Sequence, residues 1–122
     1  MIPVLLVGLG GAFGSISRYL TSVAVHRFFS APFYLGTFAV NILGCFLAGI
    51  LIAVIEKQEW GNSHLRWLLI TGFCGGFTTF SAMSLESLTL IKSGRVWECL
   101  AFNIASILLG LLVVFVGSSL LR

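Results

Sequence analysis

Charged side chains are scarce in this sequence, and their scarcity argues against a soluble fold. Only 9% of the 122 residues are Asp, Glu, Lys or Arg, whereas a soluble domain has about 25%. Hydrophobic residues make up 58% of the chain, and the mean hydropathy is +1.09. Such a chain is expected to lie almost entirely within a membrane. Its net charge of +3 is too small and too dispersed to predict a nucleic-acid partner.

Cysteine is also rare, and other features of soluble enzymes are missing. The three cysteines, Cys45, Cys74 and Cys99, lie within or beside apolar runs and lack metal-ligand spacing, so we interpret them as small hydrophobic residues. No acid–base pair is evident, and no glycine-rich segment carries the lysine of a phosphate-binding loop. An enzyme is therefore not expected. The first residues lack the basic region of a signal peptide, so the first apolar run is expected to be retained.

Apolar runs long enough to cross a bilayer are what the sequence does contain. A span needs about 20 residues, and the runs extend over residues 3–25, 33–55, 65–91 and 96–121. Short polar segments connect them at 26–31, 56–64 and 92–95. The sequence therefore predicts an all-α membrane protein with four transmembrane helices, forming a single domain over residues 1–122 with no extramembrane domain.

The third run contains the most informative segment, residues 72–81 (GFCGGFTTFS). Its glycines and its pair of threonines weaken a helix at membrane depth. Lipid cannot hydrogen-bond a freed backbone, which must be buried in protein or line a polar cavity. Broken helices of this kind often build ion and substrate sites. We therefore predict that the third helix is broken in the middle of the membrane and that the protein is a channel or transporter.

Lysine and arginine are divided evenly between the two sides of the predicted bundle. One side carries Lys57, Arg66 and Arg122, and the other carries Arg27, Lys92 and Arg95. An excess of loop Lys and Arg on one side normally sets the orientation of a membrane protein. Its near-absence predicts insertion in both orientations, and the alternative is a fixed orientation that something other than charge determines.

The small size of the chain predicts self-association. Four short helices can hardly enclose a water-filled path and seal it from lipid, so a homo-oligomer is expected. Insertion in both orientations would permit an antiparallel two-fold dimer. Small residues suited to close helix contact recur four apart, at Gly10 and Gly14 and at Gly44 and Ala48.

Polar side chains inside the spans are candidates for function because they are costly in lipid. Arg18 either extends its cation to the membrane surface, draws an anion toward a vestibule, or pins another helix. Asn41 either forms an interhelical hydrogen bond or donates its NH2 group to a passing anion. Asn103 and Ser106 share one face of the fourth span. There, Ser106 either lines a path or bonds its own helix backbone.

The third span holds the densest polar cluster, in which hydroxyl side chains alternate with large apolar ones. Phe80 and Met83 share a helical face, and the positive edge of an aromatic ring can contact an anion weakly. Glu86 is expected at the vestibule end, either away from the anion path or bonded to a hydroxyl. Carbonyl groups freed by the break could coordinate a hard cation such as Na⁺.

Three segments of the chain resemble the Fluc (CrcB) family of fluoride channels. Residues 10–19 (GGAFGSISRY) look like the glycine-rich entry of that family, which ends in Arg-Tyr. Residues 36–44 (GTFAVNILG) look like its Gly-Thr-x-x-x-Asn-x-x-Gly element, and residues 71–86 match its signature nearly residue for residue. The motifs occur in the family's order, and the resemblance covers the whole chain.

The resemblance implies a passive, fluoride-selective channel that exports cytoplasmic fluoride across the bacterial inner membrane. It implies a dual-topology antiparallel homodimer with two pores and one central structural Na⁺, which backbone carbonyls of Gly75 and Thr78 would bind. Arg18 would act near the anion entrance or stabilise the fold there. The fluoride path would be lined by Asn41, Phe80, Met83, Thr79 and Ser106.

Two positions depart from the pattern of the family. Met83 stands where phenylalanine is usual, which keeps the volume and a polarizable surface but loses a ring edge. Reduced conduction is one expected consequence, and an engineered substitution is the alternative interpretation of this position. Phe102 stands where tyrosine is usual and cannot donate a hydrogen bond, four residues before Ser106.

Two other functions compete with the channel. Small multidrug-resistance-type transporters also have four spans and insert both ways, but they use a membrane-embedded acid in the first span. The first span here has Arg18 and neither Asp nor Glu, which argues against that class. An accessory subunit without transport activity fits apolar helices alone, and the polar cluster of the third span argues against it.

Overall fold

The computed structural model describes residues 1–29, 32–57 and 63–120, and nearly all of them are helical. The helices are α1 (Ile2–Phe28), α2 (Leu35–Lys57), the single turn α3 (Ser63–Leu65), the π-helix π1 (Arg66–Cys74), the single turn α4 (Gly75–Phe77), α5 (Phe80–Lys92) and α6 (Val96–Ser119). Four helical stretches, Ile2–Phe28, Leu35–Lys57, Arg66–Lys92 and Val96–Ser119, are long and apolar enough to cross a membrane. The predicted all-α membrane protein with four spans is confirmed.

The first two helices extend beyond their predicted ends. His26 and Arg27 lie in the last turn of α1, and Lys57 lies in the last turn of α2, although we expected all three in connections. Cations in a last turn interact favourably with the carbonyl end of a helix, which explains why the helices continue through them. Residues 63–64, also expected in the second connection, belong to α3. Residues 30–31 and 58–62 of the predicted connections and residues 121–122 after the fourth span lie outside the described residues.

A tight turn makes α5 and α6 antiparallel neighbours. Gly94 has a φ of 77°, a left-handed conformation that glycine adopts at no steric cost. The amides of Gly94 and Arg95 donate to the carbonyls of Ile91 and Leu90 at 3.0 and 2.8 Å. These bonds satisfy the last carbonyls of α5 and start α6 two residues later.

The helices pack in two main pairs within the chain. α2 packs along α6, and α1 packs along π1 and α4. In α1 the close approach depends on Gly10 and Gly14, which are both buried. A Cβ atom at Gly10 would lie 2.9 Å from the amide nitrogen of Phe73 and closer still to the carbonyl oxygen of Leu68. The first small-residue pair of the sequence therefore serves contact between helices of the same chain.

The third apolar stretch changes helix type before it is interrupted. In π1 the amide of Gly75 donates to the carbonyl of Ile70, five residues earlier. π-Helices usually occur as single turns at functional sites, and the sequence did not predict this one. After α4 the backbone is extended at Thr78 (φ −84°, ψ 157°) and at Thr79 (φ −150°, ψ 117°). A new helix, α5, begins at Phe80.

The packing of α1 against π1 can be tested with two alanine substitutions on the same helix. Gly10→Ala places a methyl group against backbone atoms of π1, and we expect it to destabilise the fold by about 1–3 kcal/mol through overpacking. Gly8 has no atom within 4 Å of a Cβ position, so Gly8→Ala is the matched control. Denaturant unfolding in detergent measures both variants, and equal stabilities would refute this account.

Candidate functional site

A cavity of about 250 Å³ lies where the interruption of the third stretch meets α2 and α6. We call it the Phe80 cavity. Five of its lining residues are those predicted to form an ion path, and they come from three helices and the extended segment. The lining residues are Asn41, Cys45, Thr78, Thr79, Phe80, Met83, Ser106 and Ile107.

Asn41 anchors the extended segment to α2 through two reciprocal hydrogen bonds. Its Nδ2 donates to the carbonyl oxygen of Thr79 at 3.1 Å, and its Oδ1 accepts from the amide of Thr79 at 2.8 Å. The side chain thus replaces the backbone partners that Thr79 would have in a continuous helix. One hydrogen of the Asn41 NH2 group is not needed for this pairing. Both roles that the sequence left open, interhelical bond and donor to an anion, are compatible with the geometry.

The interruption removes the normal helical donors from two carbonyl groups. In a continuous helix the amides of Thr79 and Ala82 would donate to the carbonyls of Gly75 and Thr78. Here the Thr79 amide donates to Asn41, and the Ala82 amide donates to the Thr79 hydroxyl oxygen at 3.1 Å. These two amides therefore do not hold the carbonyls of Gly75 and Thr78, which the resemblance to the family implied as cation ligands.

Arg18 serves a third carbonyl at the interruption. Its Nε donates to the carbonyl oxygen of Gly76 at 3.2 Å, which joins α1 to α4. In a continuous helix the Phe80 amide would hold that carbonyl. The guanidinium is half-buried rather than extended into solvent. Its two terminal nitrogens are not used by this bond.

The N-terminus of α5 faces the same region and carries positive partial charge. Thr79 is its N-cap, because its hydroxyl oxygen accepts from the amide of Ala82. An oxygen that accepts from the backbone still has its own proton to donate. The Ser81 hydroxyl lies 3.3 Å from the Thr79 hydroxyl. The positive end of the helix dipole and these hydroxyls make this helix end favourable for an anion.

Phe80, Met83 and Ser106 line the cavity in different ways. The Phe80 side chain is 76% exposed on the surface of the single chain, whereas Met83 is only 8% exposed and belongs to the core. The Ser106 hydroxyl donates to the carbonyl of Phe102 in its own helix at 2.7 Å. Ser106 therefore does both things that the sequence left as alternatives: it lines the cavity and bonds its own backbone.

A second cavity of about 200 Å³, which we call the Arg18 cavity, adjoins the first at Thr79. Its polar lining includes Arg18, Ser22, Thr37 and Glu86. The Thr37 hydroxyl donates to Glu86 Oε1 at 2.9 Å. Glu86 is thus bonded to a hydroxyl, one of the two arrangements that the sequence predicted. Its Oε2 is buried and has no hydrogen-bond partner among the described residues.

The N-terminal half of α6, before Ser106, is apolar around Phe102 and polar at its first turn, where Glu98 lies. Phe102 is buried, and the ring of Tyr34 packs on it with centroids 4.7 Å apart. The Tyr34 hydroxyl donates to the Glu98 carboxylate, which also pairs with Arg95. Desolvation, followed by the bond to Glu98, raises the pKa of Tyr34 above its ordinary value. The sequence analysis did not identify this group.

The sequence analysis also missed other polar residues, among them Thr37 and Ser22, which line the Arg18 cavity, and Ser87 on α5. Thr37 was visible as the second residue of the Gly-Thr element at 36–44, but its partner Glu86 is 49 residues away. Ser87 bonds Asn103 on α6. Neither contact has a short-range sequence signal, because each depends on how separate helices pack.

Side-chain metal chemistry has no basis in the described part of the chain. Residues 1–29, 32–57 and 63–120 contain no group of three or more His, Cys, Asp or Glu side chains that could hold a metal ion. The available oxygens at the interruption are backbone carbonyls and hydroxyls. A hard cation such as Na⁺ prefers oxygen ligands of this kind.

Comparisons with known proteins give a consistent result over nearly the whole chain. The family model described as CrcB-like protein, Camphor Resistance (CrcB), matches residues 5–118. A relative from Phocaeicola vulgatus, named fluoride-specific ion channel FluC, is 44% identical over 96% of each chain. A protein of the same name from Gloeothece citriformis is 42% identical over 100% of this chain and 98% of its own. Another, from Azobacteroides pseudotrichonymphae, is 40% identical over 93% of this chain and 91% of its own.

These matches confirm the resemblance that the three sequence motifs indicated. The matching proteins are named as ion channels, which confirms the prediction that the chain is not an enzyme. Their lengths agree with that of this chain almost from end to end. The chain belongs to the CrcB-like family.

Proposed function

We propose that this protein is a passive, fluoride-selective channel. The observation that carries the proposal is the Phe80 cavity, where a neutral amide, hydroxyls and an aromatic ring surround a space next to a helix N-terminus. Relatives of similar length and 40% or higher identity are named fluoride-specific ion channels. Donors without formal charge suit an ion that must both enter and leave.

Fluoride would pass by exchanging its hydration water for these donors in stages. The free N–H of Asn41 and the hydroxyl proton of Thr79 each supply one hydrogen bond. The ring edge of Phe80 supplies a weaker electrostatic contact. Met83, on the same face of α5, adds a polarizable side chain to the lining of the path. Larger halides would be excluded because the path is narrow and its donors are fixed by the packing of three helices.

The Arg18 cavity supplies the approach to this path. The Arg18 cation is half-buried and held on the carbonyl of Gly76, so its field extends toward Thr79, which lines both cavities. A fixed cation near a vestibule raises the local anion concentration. The Thr37 hydroxyl holds Glu86 through Oε1 and limits how far that carboxyl can move toward the path.

We further propose that two chains form an antiparallel, dual-topology homodimer with two pores. Phe80, a lining residue of the proposed path, is 76% exposed in the single chain, so the path needs another wall. A second copy provides that wall, and a two-fold axis generates two equivalent paths. The even division of lysine and arginine between the two sides is compatible with insertion in both orientations.

A structural Na⁺ on that two-fold axis would satisfy the carbonyls that the interruption leaves free. Gly75 and Thr78 have lost their helical amide donors, and Gly75 is exposed on the surface of the single chain. Two chains would bring these oxygens together around one hard cation. In this proposal the interruption of the third helix lies in the middle of the membrane, where only protein or an ion can satisfy the backbone.

The cellular role that follows is export of cytoplasmic fluoride. Hydrogen fluoride enters cells from acidic surroundings and dissociates inside, and a passive channel lets the trapped anion leave. Four apolar spans place the protein in a membrane as a multi-pass protein, and we propose the bacterial cytoplasmic (inner) membrane. The proposed partners are a second copy of the chain and membrane lipid.

Efflux from liposomes tests the proposed function directly. Purified protein is reconstituted into vesicles loaded with fluoride or with chloride, and release is followed with ion-selective electrodes. We expect rapid fluoride release and no chloride release, because the path is narrow and its donors are matched to a small anion. Met83→Phe restores the second ring of the family pattern. Absence of fluoride release in both the original chain and Met83→Phe would contradict the proposal.

The role of Asn41 can be tested with a charge substitution. Asn41→Asp should abolish fluoride efflux, because it places a negative charge in the path and cannot donate to the carbonyl of Thr79. Asn41→Leu removes both hydrogen bonds to Thr79 without adding charge, and it is the control for loss of the pairing alone. We expect the aspartate variant to be slower than the leucine variant. Undiminished flux through Asn41→Asp would remove Asn41 from the path.

The ring of Phe80 can be tested by replacing it with an aliphatic side chain of similar bulk. Phe80→Ile should slow fluoride efflux by about tenfold, equivalent to about 1.4 kcal/mol, because the positive ring edge is lost. Phe115 is a comparably exposed phenylalanine near the C-terminus of α6, and it does not line the Phe80 cavity. Phe115→Ile therefore serves as the control. Normal flux through Phe80→Ile would refute the ring-edge role.

A further inference from the structure

Asn103 lies one turn from the Phe80 cavity, and no step of the proposed mechanism uses it. Its Nδ2 donates to the Ser87 hydroxyl on α5 at 2.8 Å and to the carbonyl of Cys99 in its own helix at 2.8 Å. The Ser87 hydroxyl in turn donates to the carbonyl of Met83 at 2.8 Å. A continuous hydrogen-bonded relay therefore runs from α6 to the backbone of a cavity-lining residue.

The relay lies on the faces of α5 and α6 that form the cavity. Phe80, Met83 and Ser87 follow one another at spacings of three and four residues, so they share one face of α5. Asn103 and Ser106 share one face of α6 for the same reason. Because the two helices are antiparallel, Ser87 meets Asn103 at one level, and Met83 and Ser106 meet at the cavity one turn further on.

The position of α5 depends on few contacts within the chain. It contacts α6 and α2 less extensively than α2 and α6 contact each other. The hydrogen bond from Thr37 to Glu86 joins it to α2, and the bond from Asn103 to Ser87 joins it to α6. Rotation of a helix about its axis moves every side chain on one face together. A bond at Ser87 therefore fixes the direction in which Phe80 and Met83 point.

We propose that Asn103 is a positioning residue for the ion path. Through its bond to Ser87, it fixes the rotation of α5 against α6. The amide does not touch the permeating ion. It sets the separation between the Phe80–Met83 face and Ser106, and so the width of the path. This inference rests on the proposed fluoride channel, and the experiment below separates the two.

The first measurement is spectroscopic and does not require transport. A fluorinated phenylalanine is placed at position 80 of the full chain in detergent, and its fluorine NMR resonance reports the surroundings of the ring. Asn103→Leu and Ser87→Ala should both displace this resonance, because each breaks the relay. Ser87→Thr retains the hydroxyl and should leave the resonance in place. Thr89→Val is the matched control, since Thr89 makes the same kind of bond to its own helix on an exposed face of α5.

The second measurement is fluoride efflux from liposomes. Asn103→Leu and Ser87→Ala should each slow efflux about fivefold, equivalent to about 1 kcal/mol, while Ser87→Thr and Thr89→Val retain the original rate. The double variant Asn103→Leu/Ser87→Ala should lose no more than the larger single loss, because the two residues act through one bond.

The outcomes distinguish the two proposals. A Phe80 resonance that Asn103→Leu and Ser87→Ala both leave unmoved would overturn the positioning role, whatever the flux. A displaced resonance with unchanged flux would also overturn it, since the ring would move without affecting the path. If neither the original chain nor Met83→Phe releases fluoride, the proposed function fails. The resonance alone then decides whether Asn103 fixes α5.

Discussion

The reciprocal pairing between Asn41 and the backbone of Thr79 is the interaction on which the rest of the site depends. An interrupted helix exposes amides and carbonyls that lipid cannot satisfy, and each unsatisfied group costs several kcal/mol. The side-chain amide of Asn41 supplies both a donor and an acceptor to the same residue. This lets the chain leave the helix at Thr78 and restart it at Phe80. Without that pairing, we expect a continuous helix to have the lower free energy.

The other features of the site follow from that interruption. Arg18 takes the carbonyl of Gly76, and the Thr79 hydroxyl caps α5, so two more groups freed by the break are satisfied within the chain. In the proposed homodimer, the carbonyls of Gly75 and Thr78 would be satisfied by the structural Na⁺. The restarted helix points its N-terminus and the Phe80 ring toward the cavity. In this way a backbone defect becomes a set of oriented donors without formal charge, which is the property that the proposed fluoride path requires.

Close packing of glycine surfaces keeps these groups in register. α1 lies against π1 through Gly10 and Gly14, so that Arg18, one turn beyond Gly14, reaches the interruption. α2 and α6 form the other close pair and present Asn41 and Ser106 to the same space. α5 is the least supported of the long helices, and its hydrogen bonds to Thr37 and Asn103 therefore matter more than their number suggests.

The amino-acid sequence by itself determined that this is an all-α membrane protein with four spans. Its apolar runs are long enough to cross a bilayer, and it has too few charged residues for the surface of a soluble domain. It also indicated the weakened third span, because its glycines and paired threonines disfavour a helix, and it drew attention to Asn41 and Ser106, because polar side chains are costly in lipid. The resemblance to the family implied the grouping of the five predicted residues that line the Phe80 cavity. Only the tertiary structure decided what those residues bond. The π-helix, the pairing of Asn41 with Thr79, and the contacts of Thr37 with Glu86 and Asn103 with Ser87 all depend on helix packing. Such contacts join residues far apart in the chain, and no local pattern records them.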